Sequence, residues 1–288
     1  MLSSLALRRT TPYLLAMMCT TSATPAVAQT MPAQEQGATI IVEGRRAKTI
    51  DRMIADLAPS RGGRQIAKWE WSICVQVVGL EANHATFLRK RIESTAEALK
   101  IPVVRKDDCT PNIVVAFTDA PQDVLLDIRK REPELLRDPR YGLPRKSEWE
   151  ELMAPRPVTW MGRDEVDESV KGGSVSRLRA QTRQSLTKAI AVVDARAIAG
   201  VTWGQLGDYL CMVTLSRPKL AGSYDTSTIL GLFAARDAIR PRPALQPMGM
   251  TAIDRSLLAN LYTMDGRLPA SSQQKTLREK VEKDLAAD

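Results

Sequence analysis

The chain is 288 residues long, 44% hydrophobic and 26% charged, with a net charge of +8 at pH 7, an ordinary globular composition that can bury one sizeable core or two small ones. A single histidine, His84, among four cysteines excludes metal centres built on several histidines. After the opening residues nothing approaches the roughly 20 consecutive apolar residues that a membrane-spanning helix needs.

The opening reads as an export signal. Arg8 and Arg9 form a basic start, Pro12 to Cys19 a short apolar stretch, and Ala26-Val27-Ala28 a small-x-small cleavage site. Residues 1–28 are therefore expected to be removed near Ala28, leaving a periplasmic or secreted chain that starts near Gln29. Processing as a lipoprotein would use Cys19, but Met17 and Met18 stand where small residues are preferred. Loss of Arg8 and Arg9 lowers the charge to +6. The polyanions of a Gram-negative periplasm are envelope lipids and wall polymers, so nucleic acid is not an expected partner. Export also permits a disulfide. Of the remaining Cys74, Cys109 and Cys211, the pair Cys74–Cys109 is the expected bridge; Cys211 stays open as a partner, and three buried thiols are the plain alternative.

Residues 29–65 read as a leader and N-terminal arm. Ile40 to Arg46 is a short β-prone run expected as an edge strand, Arg52 to Pro59 a short helix closed by proline, and Arg61 to Arg64 a loop. From Trp71 the set Ile73, Val75 and Val77 alternates with Ser72, Cys74 and Gln76, the pattern of a strand with one face inward. Asn83 is placed to cap a helix with Leu88, Ile92, Thr95 and Leu99 on one face and Arg89, Lys90, Arg91, Glu93 and Glu97 toward solvent. Ile101 to Val104 is a second strand, and Asn112 to Thr118 is apolar enough for the middle of a sheet.

Val124 to Leu136 predicts another helix, after which proline and glycine break the pattern from Pro139 to Pro157. Pro157 to Trp160 is a short edge strand, and Asp164 to Gly173 a polar loop whose carboxylates lack the spacing and central glycine of an EF-hand. Ser185 to Asp194 holds the strand Ala189 to Val193. Thr202 and Gln205 then stand three apart as in a capping box, and Trp203, Leu206, Leu210 and Val213 make the stripe of a buried helix, with Gly207 inviting close packing. Pro218 to Ser223 turns the chain, Tyr224 to Phe233 is apolar, and Pro241 to Pro247 is a loop. Thr251 caps a helix lined by Ile253, Leu257 and Leu261. Residues 271–288 predict a polar C-terminal helix with a stripe of Leu277, Val281 and Leu285 and surface pairs Arg278–Glu282 and Glu279–Lys283.

Over roughly residues 70 to 265, within an expected domain of residues 66–270, the order of these pieces resembles the metzincin-type, matrixin-like zinc proteases: strand, long helix, strands, active-site helix, a turn beneath the metal and a C-terminal helix. The resemblance implies a zincin-like α/β (α+β) fold, a mixed sheet packed against an early long helix and a central helix. The family's central helix carries HExxHxxGxxH, two histidines on one metal and a glutamate acting on the bound water. Here Gly204-Gln205-Leu206-Gly207-Asp208 stands in place of HExxH, Cys211 falls on the family's glycine and Thr214 on its third histidine. Thr226 to Leu230 resembles the Ser-x-Met turn with Leu230 for the methionine, and Asp254 in Thr251 to Tyr262 matches the aspartate of the closing helix. The whole chain also resembles a group of exported alphaproteobacterial proteins through its Val-x-Gly-Arg-Arg opening, Cys-Thr-Pro-Asn at 109–112 and Gln-Leu-x-Asp-Tyr in the central helix; this likeness implies export and a zincin-like domain and carries no activity.

The chemistry of a zinc protease is missing from these positions. Asp208, Cys211 and His84 can be imagined as a ligand set, but nothing in the sequence places His84 near the other two, and no carboxylate replaces the missing base at Gln205. His84 with Cys74 is the only nucleophile–base pairing, and the bridge to Cys109 would consume that thiol. Gly62-Gly63 and Gly172-Gly173 lack the context of phosphate loops. The sequence thus predicts an exported envelope protein with a non-catalytic zincin-like module for binding or structure, no cofactor and no metal, its partner a peptide or an envelope protein. Two alternatives remain: a hydrolase or peptidase with an unconventional site at Gln205, Asp208 and Tyr209, and an accessory of an outer-membrane TonB-dependent system acting through the TonB-box-like Ile40 to Arg46.

Overall fold

Four strands, β1 (Val75–Val78), β2 (Ile113–Thr118), β3 (Val158–Asp167) and β4 (Arg183–Asp194), form one mixed sheet in the order β1-β2-β4-β3. β2 lies parallel to β1 on one side and to β4 on the other, and β3 closes the far edge antiparallel to β4. The computed structural model describes residues 50–106, 108–137, 142–168, 179–236 and 246–287. The expected signal peptide, the leader with Ile40 to Arg46, the later part of the polar loop and most of the proline-rich loop lie outside these residues.

The helices are α1 (residues 50–57), α2 (Ala82–Ala98), α3 (Pro121–Arg131), α4 (Lys146–Met153), α5 (Trp203–Leu215), α6 (Ala252–Thr263) and α7 (Ala270–Ala287). The chain is therefore α+β. α2 is the crossover between the parallel strands β1 and β2, as such a connection requires. β2 alternates strictly: Ile113, Val115 and Phe117 enter the main core with Ala189, Ala191 and Val193 of β4, while Val114 meets a smaller cluster around Leu125, Ile190 and Val192 on the opposite face. A strand covered on both sides has no polar face, which explains its continuous apolar run.

α5 lies in the centre of the main core. Every residue from Gln205 to Leu215 is buried, so the helix is covered all round rather than along its stripe alone. It packs on α2 across Gly207, where an added Cβ would sit 3.0 Å from Arg91 Cγ and 3.5 Å from Leu88 Cδ2. α7 contributes Leu277 and Val281, both at 0% exposure, to the same core.

Several local expectations are corrected by contacts from distant parts of the chain. α2 begins at Ala82 with Glu81 as its cap, so Asn83 is inside the helix. Glu93 is buried, held by Arg105 at 3.1 Å. The strand expected at Ile101 to Val104 reduces to a single bridge between Ile73 and Val103. Pro133 ends α3 and starts a 3-10 turn, Pro133–Leu136, and α4 forms inside the segment expected to be broken. β3 runs on through the acidic residues to Asp167 because Asp164 meets Arg217 and Arg64, and Asp167 meets Arg183 at 2.7 Å. On α7, Arg278 pairs with Asp51 at 2.9 Å and Glu279 with Lys275 at 3.8 Å, in place of the pairs expected along the helix.

Candidate functional site

The face of α5 where the resemblance would put metal ligands starts at its cap. Thr202 accepts the Gln205 N–H at 3.2 Å, and Gln205 Oε1 accepts the Thr202 N–H at 3.1 Å, the reciprocal pair that answers free donors at a helix start. The other end of the Gln205 amide donates to Pro247 O at 2.9 Å. One turn on, Asp208 is 4% exposed. Its Oδ1 accepts from Arg91 Nε at 2.7 Å, with the Arg91 guanidinium otherwise at 2.6 Å, and its Oδ2 accepts the Met250 N–H at 2.9 Å. The segment from Pro247 to Met250 thus lies across this face and is held by both side chains. Gly249 sits close against it: an added Cβ would stand 2.8 Å from Asp208 Oδ2 and force the carboxylate to shift.

Tyr209 belongs to a different environment. Its ring meets Trp160 of β3 edge-on, centroids 6.1 Å apart, and Phe233 at 5.2 Å. Burial pushes its hydroxyl above the usual range, against a weaker opposing effect from Arg156. The structure therefore brings Gln205 and Asp208 together on one segment and places Tyr209 apart from them. Cys211 is at 0% exposure, its thiol 3.4 Å from Thr95 Oγ1 and 3.7 Å from Arg91 O. Thr214 lies six residues past Asp208, about 120° around the axis at 3.6 residues per turn, and its hydroxyl donates back to Leu210 O at 2.7 Å.

His84, far from α5 in sequence, is brought to its start: the imidazole stacks on Trp203 with centroids 4.3 Å apart, and Nδ1 is 3.9 Å from Glu81. Among the described residues no group of three His, Cys, Asp or Glu side chains gathers in a geometry that could hold a metal ion. Gly204 retains room, with nothing nearer to an added Cβ than Thr202 Oγ1 at 3.9 Å.

Beneath α5, Asp254 at 0% exposure joins α6 to the turn before Leu230. It accepts from Thr228 Oγ1 at 2.5 Å, from Ile229 N–H at 2.7 Å and from Thr251 N–H at 2.9 Å, and burial raises its pKa against those bonds. Sequence reasoning did not find Arg91 and Met250, which hold Asp208, or Pro247, which accepts from the Gln205 amide; Arg91 reads in the sequence as one of five charges on a solvated helix face. It also missed the cluster in which Arg217 and Arg64 hold Asp164 beside Arg61. Burial, aided by Arg217, lowers the Arg61 pKa to about 10. The void among these arginines is about 10 Å³, the size of one water, and takes no larger ligand.

Cys74 and Cys109 form a disulfide with Cα atoms 6.3 Å apart, and Cys211 is the free cysteine. No helix among the described residues is long and apolar enough to cross a membrane. No family model, curated protein or solved structure matches the chain.

Proposed function

We propose that the chain is an exported cell-envelope protein built on a zincin-like module that binds or organises a partner and does not hydrolyse peptides. The observation that carries this reading is the occupation of the α5 face: Gln205 and Asp208 spend their hydrogen bonds on Arg91 and on the chain from Pro247 to Met250. A general base must reach a substrate proton or a water, and a carboxylate bound at both oxygens by its own protein has a structural task. The order of strand, long helix, strands, buried central helix, turn and closing helix supports the zincin-like part of the reading, as does the tie from Asp254 to the Thr228–Leu230 turn. Export is supported by the basic, apolar and small-residue pattern of residues 1–28.

The test is the metal content and peptidase activity of the full chain purified without added metal. The reading expects zinc well below one ion per chain and no cleavage of casein with or without added zinc. Tightly bound stoichiometric zinc accompanied by cleavage overturns it.

A further inference from the structure

β1 is an edge of the sheet, and on its outer side the chain is covered only ahead of the strand, at Ile73. Ile73 donates to Pro102 O at 2.9 Å and accepts the Val104 N–H at 2.8 Å; beyond Val104 the chain leaves for the loop that reaches Cys109. In a parallel ladder successive residues turn their backbone groups to alternate sides. Cys74 O accepts the Ile113 N–H at 3.1 Å, so Cys74, Gln76 and Val78 face β2. Val75 and Val77 turn their N–H and C=O groups outward, and among the described residues no strand pairs with them. Val75–Val78 also lacks the proline or charge that commonly blunts an open edge.

This ledge opens on a groove of about 320 Å³ between β1, α2 and a wall made by Val104, Arg105, Lys106, Cys109 and Pro111. α2 presents Ala82, Ala85 and Thr86 to it, side chains small enough to leave space beside the strand. The disulfide to Cys74 holds the loop as its other wall. Among the described lining residues, Arg89, Arg105 and Lys106 outnumber the single carboxylate, Glu93. Arg89 and Lys106 line it without an ion-pair partner among the described residues, and its one lining carboxylate, Glu93, is taken by Arg105.

We propose that this edge is the docking site for an extended acidic peptide segment of a partner protein, which adds to the sheet beside β1 as a further strand. The outward backbone groups of Val75 and Val77 select an extended chain whatever its sequence. The small floor on α2 admits short side chains at every second position, and Arg89 and Lys106 select carboxylates at the rim. This deepens the reading of the chain as a binding module and rests on it, yet the two fail separately, since the zinc and peptidase assays probe α5 and the binding assay probes β1.

The experiment measures fluorescence anisotropy of the labelled peptide Glu-Val-Glu-Val-Glu-Val with the full oxidised chain. Controls are the Lys-Val counterpart and the same acidic peptide N-methylated at alternate residues. The acidic peptide is expected to bind, and binding is expected to weaken by about tenfold or more in each control and in the Arg89→Glu/Lys106→Glu variant. Val77→Pro removes an outward donor and leaves the bonds to β2 in place, so with an unchanged circular dichroism spectrum it should weaken binding similarly. Absence of binding by the acidic peptide overturns the proposal, as does equal binding of the Lys-Val or N-methylated peptide. A chain that sediments as a dimer and becomes monomeric on Val77→Pro also overturns it, because the occupant is then a second copy.

Discussion

Cys211 shows how burial changes a single group. Its thiol is enclosed between α5 and α2, and desolvation pushes its pKa up to about 12. At pH 8 about one such thiol in ten thousand is ionised. In the unfolded chain it ionises near the ordinary value of 9.0, so the stability that goes with the neutral thiol is fully present below pH 9 and is lost as pH rises toward 12. With Cys74 and Cys109 bridged, native mature protein is expected to take up no iodoacetamide at pH 8 and one equivalent after unfolding in urea. Mass spectrometry of the labelled chain checks this, and prompt labelling of the native protein contradicts it. The sequence leaves Cys211 open between a bridge, a metal ligand and a buried thiol, and its enclosure against Arg91 and Thr95 of α2 decides for the last. The burial of Glu93 was not readable, since Arg105 approaches it from twelve residues along and leaves no trace in the helical spacing of α2.

At the scale of elements, local signals were readable wherever the answering group is also local. The box of Thr202 and Gln205 and the Thr251 cap both form as expected, the latter completed by Asp254. α4 escaped notice because the prolines around it bracket the helix rather than break it: Pro144 precedes the Arg145–Glu148 capping box, and Pro155 follows the last turn. The disulfide is the one long-range tie the sequence suggested. It closes a 35-residue separation and anchors the loop carrying Val103 beside β1, where Asn112 adds a bond from Cys74 N–H at 2.7 Å. Replacing both Cys74 and Cys109 by alanine is expected to cost roughly 2–4 kcal/mol, read as a fall in urea midpoint. A midpoint within error of the parent protein would show that the bridge adds nothing to the fold.

At the scale of the whole molecule, the fold class was readable and the strand order was not. Apolar runs and helical spacing announce a sheet with helices, while the order β1-β2-β4-β3 and the antiparallel β3 depend on contacts between segments far apart in the chain. The candidate site divides the same way: Gln205 and Asp208 stand out on their helix, but their roles are set by Arg91 from α2 and by Pro247 and Met250 from the far side of the sequence. Asp208 joins these three parts, so its carboxylate is a tie for the molecule. The most direct test of that role is Asp208→Asn, followed by urea unfolding and by the casein assay on variant and parent alike. The structural role predicts a loss of about 1–3 kcal/mol, as for a buried charged hydrogen-bond partner, with no turnover in either protein. Unchanged stability together with a hydrolytic activity that the parent has and Asp208→Asn lacks would contradict it.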